Sequence, residues 1–115
     1  MPGRADKVAA ALTAELAGLI QRAVKDPRVH AAGLLTVTGV RVSDDLTHAT
    51  VAVSFVGGDP AAALPALKGL ERAAGFLRGE AARRLGLKRA PALRFVRDRS
   101  AERAELIEAL LKGGS

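Results

Sequence analysis

Residues 70–78 read Leu-Glu-Arg-Ala-Ala-Gly-Phe-Leu-Arg, and the reading of the fold turns on Gly75 and Phe76. A glycine inside a helix costs about 1 kcal/mol relative to alanine, yet this alanine-rich chain places one in the middle of a helical pattern. On both sides of it Leu64, Leu67, Leu70, Ala74, Leu77, Ala81 and Leu85 keep a common phase, which alone permits one unbroken helix. Phe76 disagrees, because at 100° per residue it points about 140° or more away from most of that stripe. A kink at Gly75 would turn Phe76 toward the core and divide the run into helices over about 60–74 and 76–85.

Working outward, Asp59-Pro60 supplies an N-cap followed by proline at the first helical position, and Gly86 ends the run. Upstream, a first helix is expected over about 6–25, with Val8, Leu12, Leu16, Leu19 and Ala23 on one face, Asp6 as its cap and Asp26-Pro27 as its stop. Residues 34–43 read as a strand whose apolar positions change parity, from Leu35 and Val37 to Val40 and Val42. Both pairs share a face only if one residue is inserted, which predicts a β-bulge near Thr38-Gly39. The turn residues Ser43 to Thr47 lead into a second strand over 48–56, with Ala49, Val51, Val53 and Phe55 alternating, so the two strands form a hairpin. Downstream, 91–97 is a third strand presenting Leu93 and Phe95. Ser100 then caps a last helix that carries Leu106, Ile107, Leu110 and Leu111.

The order α-β-β-α-kink-α-β followed by a C-terminal helix predicts an α+β fold: a three-stranded sheet, one face polar and the other covered by helices. This order matches the type II KH fold, in which two helices joined at a glycine-bearing bend present a positive groove to single-stranded nucleic acid. The usual GxxG loop is absent. Ala73-Ala74-Gly75 stands in its place.

The chain has 115 residues and no cysteine, so disulfides, thiolate metal sites and cysteine nucleophiles are excluded. No apolar run approaches the roughly 20 residues of a membrane span, and the N-terminal residues lack the apolar core of a signal peptide. The expectation is one soluble, cytoplasmic domain over 1–115. Arginine outnumbers lysine and asparagine is absent, a bias that points to a thermophile or a GC-rich genome.

The net charge of +6 is unevenly spread: from Lys68 to Arg99 there are ten basic residues against three acidic ones, so the rest of the chain is close to neutral. A positive field of local origin favours a polyanionic partner such as nucleic acid. Adjacent Asp44-Asp45 reads as turn chemistry, and His30 and His48 lack the partners a zinc site or catalytic base needs. No catalytic residue, metal or cofactor is expected.

Four blocks carry a family resemblance. They are Lys25-Asp26-Pro27-Arg28-Val29, the run from Thr36 to Ala49, Ala73-Ala74-Gly75-Phe76-Leu77-Arg78, and the run from Pro91 to Ser100. In this order and spacing the chain resembles the ribosome-binding factor A family of bacterial small-subunit assembly factors, from Arg4 to about Leu111. In that family an Ala-x-Gly kink replaces the GxxG loop, which Ala73-Ala74-Gly75 matches; the chain is expected to lack the polar C-terminal tail some members carry. The resemblance implies a monomeric, non-enzymatic factor. It would bind the immature small ribosomal subunit and its rRNA, support maturation of the rRNA 5′ end, act especially in the cold, and leave with the help of an assembly GTPase.

The expected RNA-binding residues are Arg28, Arg72, Ala73, Ala74, Gly75, Arg78, Arg83, Arg84, Lys88 and Arg89: small residues that let a phosphate backbone approach, flanked by cations that neutralise it. Without Trp or Tyr, and with two of the three Phe in core strands, backbone and shape recognition is expected over base reading. The alternatives are a protein-interaction module working through the sheet or the last helix, another KH-type RNA-binding protein, and a small enzyme taking a phosphorylated substrate in the basic groove.

Overall fold

The computed structural model describes residues 3–113; Met1-Pro2 and Gly114-Ser115, the ends of the expected domain, lie outside the described residues. Helix α1 spans Arg4–Ala23 and buries Leu12, Leu16, Leu19 and Ile20. It begins before Asp6 because Gly3 takes the N-cap position. Asp6 sits in the first turn and its Oδ2 accepts the Gly3 N–H at 3.1 Å, which makes it the cap's partner rather than the cap. Beyond Val24, Asp26-Pro27 opens a further helix instead of only ending the first. This α2, Pro27–Ala31, is capped by Asp26, whose Oδ1 accepts the Arg28 N–H at 3.0 Å. Five residues are too few to show a helical period, so no pattern announces it.

Strands β1, Gly33–Val42, and β2, His48–Gly57, form the expected antiparallel hairpin. Val37 faces Val53 but Gly39 faces Ala52, so Thr38 is the inserted residue and the bulge stands where the parity switch put it. Leu35 and Val37 before it, and Val42 after it, all reach the core. Gly33 is required on two counts: its φ is +108°, and a Cβ there would lie 2.3 Å from the Val56 carbonyl oxygen. In the hairpin turn Asp45 Oδ1 accepts from the Ser43 hydroxyl at 2.7 Å and from the Thr47 backbone N–H at 3.1 Å.

A short 3₁₀ turn, Pro60–Ala62, capped by Asp59, leads into α3, Ala63–Leu85. Here the structure corrects the sequence reading. The helix runs unbroken through Gly75, with no division into two, and Phe76 stays 50% exposed. Ala63, Ala66, Leu70, Leu77 and Ala81 are buried in one phase, which a break at Gly75 would lose. Leaving Phe76 half in water forgoes only part of the roughly 1.5–3 kcal/mol that full burial of such a side chain contributes. Leu64, counted in the inward stripe, is also exposed, and Ala63 and Ala66 hold its place against the core. Gly86 closes the helix in left-handed geometry, φ +67°.

Strand β3, Ala92–Arg97, returns parallel to β2, with Leu93 beside Ala49 and Phe95 beside Val51. The sheet order is β1-β2-β3. Helices α1 and α3 pack on the face that carries Leu35, Val37, Val51, Val53, Leu93 and Phe95. The opposite face exposes Thr36, Thr38, Arg41, Thr50 and Arg94. On the side of β3 away from β2, the Phe95 N–H donates to Glu71 Oε1 of α3 at 3.3 Å. Helix α4, Ser100–Gly113, follows. Its opening is held by Asp98, whose Oδ1 accepts the Ser100 N–H at 2.8 Å, so Asp98 takes the role expected of Ser100. Leu106, Ile107, Leu110 and Leu111 of α4 are all exposed. The architecture is the expected α+β fold, with α2 added and α3 undivided at Gly75.

Candidate nucleic-acid interface

At 100° per residue Lys68, Arg72, Gly75, Phe76, Gly79 and Arg83 fall within about 100° of arc on α3, and all six are exposed. A Cβ added at Gly75 or at Gly79 would meet nothing within 4 Å. Gly75 therefore serves neither a close helix crossing nor a break. It leaves the solvent face of α3 bare between cations. Ala73 and Ala74 turn the other way and pack against the core.

The acidic residues of this helix are already engaged. Glu71 accepts from the Phe95 backbone. Glu80 pairs with Arg83 and, at 3.9 Å, with Arg84. Arg84 also lies 3.6 Å from Glu15 of α1, so two carboxylates offset its charge and it ties α3 to α1. Among the described residues Lys68 and Arg72 are the cations of this face that form no salt bridge, although the Arg72 charge acts on Asp26.

Helix α2 joins this face through a close approach to α3. A Cβ at Gly69 would lie 2.9 Å from Val29 Cγ2 and 3.1 Å from Asp26 Oδ2, so only glycine lets α2 sit this near. Asp26 grips Arg28 in a fork, with Nη2 to Oδ2 at 2.6 Å and Nε to Oδ1 at 3.1 Å. The hydrogen bonds from the Arg28 side chain, then its backbone N–H, and then the charges of Arg28 and Arg72 hold the Asp26 carboxyl at about 2. Arg28 is thereby held at the start of α2 with its charge balanced by Asp26, the same carboxylate on which the Arg72 charge acts.

Arg78, Lys88 and Arg89 belong to a second site. Arg78 lies six residues from Arg72, which places it about 120° around the helix, and its Nε donates to the Ala90 carbonyl at 2.9 Å. With Lys88 and Arg89 it lines a groove of about 990 Å³ between the α3–β3 loop, the start of α1 and the hairpin turn. Arg4 adds a fourth cation, and Asp45 contributes a carboxylate. Hydrogen bonds from the Thr47 and Ser43 hydroxyls, followed by the Thr47 backbone N–H, hold the Asp45 carboxyl down at about 2. The ten residues expected to form one groove thus divide: Arg28, Arg72, Gly75 and Arg83 toward the outer face of α3, Arg78, Lys88 and Arg89 in the groove beyond its end, Arg84 toward α1, and Ala73 and Ala74 inward.

Sequence reasoning missed Lys68, Phe76 and Gly79, which the helical period counted from Arg72 would have found. It also missed Arg4, which only tertiary packing brings to the groove. Among the described residues no group of three or more His, Cys, Asp or Glu is placed to hold a metal. His30 Nε2 instead lies 2.8 Å from the Val24 carbonyl oxygen, and His48 Nδ1 lies 2.8 Å from the Thr47 hydroxyl. Among the described residues no helix is long and apolar enough to cross a membrane. Chemically the two basic surfaces suit contact with a polyanion.

The family model for ribosome-binding factor A matches residues 4–111. The ribosome-binding factor A of Geobacter sulfurreducens is 44% identical over 112 residues, covering 97% of this chain and 92% of that one. That of Methylobacillus flagellatus is 46% identical over 108 residues, covering 94% and 82%. Among solved structures, the crystal structure of ribosome-binding factor A from Thermus thermophilus superposes with a TM-score of 0.68 at 36% identity, covering 86% of this chain and all of that one. A second, a homology model of the Thermus thermophilus factor fitted into the cryo-EM map of its 30S complex, gives a TM-score of 0.67 at 36% identity, covering 84% and 97%. A match along nearly the whole length, in sequence and in fold, places the chain in the ribosome-binding factor A family.

Proposed function

We propose that this protein is a non-enzymatic assembly factor that binds the free, immature small ribosomal subunit through its rRNA and supports maturation of the rRNA 5′ end. The observation that carries the reading is the outer face of α3, where Lys68 and Arg72 on one side and Arg83 on the other border the positions without side chains, Gly75 and Gly79. A phosphate backbone can approach such a surface closely, and each contact releases a counterion. The related Thermus thermophilus factor, fitted in a 30S complex, supports the same partner. In this reading the chain acts in the cytoplasm as a monomeric RNA-binding domain over 1–115, most needed in the cold, without metal or cofactor, and an assembly GTPase helps it leave. Arg28, Arg72, Gly75 and Arg83 supply one contact surface and Arg78, Lys88 and Arg89 another. Arg84, Ala73 and Ala74 hold the helix that carries them.

The test is cosedimentation with free small subunits and with whole ribosomes at graded salt, followed by footprinting of the rRNA on both. Salt-sensitive binding to the free subunit, with protection of its rRNA, is expected; equal binding to both particles would refute the assembly role. Primer extension across the rRNA 5′ end in depleted cells grown cold is expected to reveal unprocessed precursor. The exposed apolar face of α4, with Leu106, Ile107, Leu110 and Leu111, favours a second reading as a protein-interaction module. Salt-insensitive binding abolished by Leu110→Asp would select it.

A further inference from the structure

Of the three phenylalanines, Phe95 is buried and Phe55 packs against the core, while Phe76 is 50% exposed. It stands on the cationic face of α3, one turn from Arg72 and two from Arg83, and flanked by Gly75 and Gly79, where no side chain crowds the surface. A single exposed apolar side chain is ordinary on a protein surface; what sets Phe76 apart is that its ring stands on the same helix face as Lys68, Arg72 and Arg83. The unbroken helix fixes the direction in which the Phe76 side chain leaves the backbone, toward this face. A flat apolar surface bordered by cations is complementary to a ligand that joins a π-face to a phosphate, as an unpaired base in single-stranded RNA does. A paired base is already stacked in its helix and offers no free face. An apolar protein patch would match the ring but not the cations around it.

We propose that Phe76 is a stacking platform for one unpaired base of the RNA, with Arg72 and Lys68 positioned for the adjacent phosphates. The inference rests on the α3 face being the RNA interface and adds a base contact to what is otherwise backbone recognition. It assigns Phe76 a role that accounts for its place on the solvent side of the helix.

The test uses the full chain and a single-stranded RNA of about 12 nucleotides, within the usual span of single-strand sites, beside a duplex RNA of equal length and heparin. Phe76→Leu keeps the apolar volume and removes the ring. It is expected to weaken single-strand binding about tenfold, in the lower part of the range for removing one stacked base because leucine keeps an apolar contact. Thermal midpoint, heparin affinity and salt slope should stay unchanged, since no charge is lost. The chain has no tryptophan, so Phe76→Trp introduces a single reporter, expected to retain affinity and to be quenched by the single strand but not by heparin. Unchanged single-strand affinity in Phe76→Leu, or no quenching in Phe76→Trp, would overturn the stacking role and leave the cationic reading standing. A Phe76→Leu defect equal for heparin and RNA would also overturn it. If the wild-type chain fails to bind the single strand at all, both readings fall. A defect in Phe76→Leu with none in Lys68→Ala/Arg72→Ala would overturn the phosphate contacts assigned to those two side chains.

Discussion

Replacing Gly75 and Gly79 with alanine should make the protein more stable and worse at binding RNA. Both residues lie inside α3 with 23 residues of continuous helix, and a Cβ at either meets nothing within 4 Å. With no steric cost, the full propensity difference applies, about 1 kcal/mol at each site. For a chain of this length 1 kcal/mol moves the thermal midpoint by about 4 °C, so the double variant should melt about 8 °C higher, followed by far-ultraviolet circular dichroism. On the binding side, two added methyl groups stand where the phosphate backbone is proposed to approach, and neither removes charge. Affinity for single-stranded RNA and for the free subunit should therefore fall while the salt slope is kept. A lower midpoint in Gly75→Ala would mean that the helix is not regular at that residue. A higher midpoint with undiminished binding would mean that the bare face is not where the RNA sits.

Arg72→Ala/Arg83→Ala should reduce the log-log salt slope of binding by about 0.7 for each phosphate no longer neutralised, with the thermal midpoint nearly unchanged because both side chains are exposed; an unaltered slope would refute the assignment. Asp26→Asn keeps a competent cap for α2 but removes the fork to Arg28. Because the folded Asp26 carboxyl lies below its ordinary value, at about 2, the stability it contributes is present above the unfolded value near 3.8 and is lost as pH falls through the folded one. The variant should melt lower at neutral pH and converge with the wild type at the acid end, and a difference independent of pH would refute the ion pair. Gly33→Ala, with φ +108° and a Cβ 2.3 Å from the Val56 oxygen, should cost at least about 2 kcal/mol by denaturant unfolding; a neutral effect would refute the close approach of β1 to the end of β2.

The bulge was legible because a strand's period is so short that one inserted residue reverses every side chain beyond it, and the parity of Leu35, Val37, Val40 and Val42 records that reversal. The continuity of α3 was misread through Phe76, on the premise that a large aromatic must be inward. The buried run from Ala63 to Ala81 outweighed one exposed ring, and that balance depends on packing the sequence does not display. The basic residues were found but not sorted into surfaces. Helical phase was enough to separate Arg78 from Arg72, whereas bringing Arg4 to the groove of Lys88, and Asp26 within reach of the Arg72 charge, depends on how α1 and α2 dock.

The Glu71 carboxylate that accepts the Phe95 N–H at 3.3 Å does more than fasten α3 to β3. Strand β3 is an edge of the sheet, and an edge with free N–H groups is a template on which a second chain can pair. By occupying the donor midway along β3, and by laying a helix beside it, Glu71 blunts that template. Removing this one carboxylate would leave the fold's core intact and free the Phe95 N–H at that edge. Its first symptom is expected to be concentration-dependent aggregation at a temperature below the melting point.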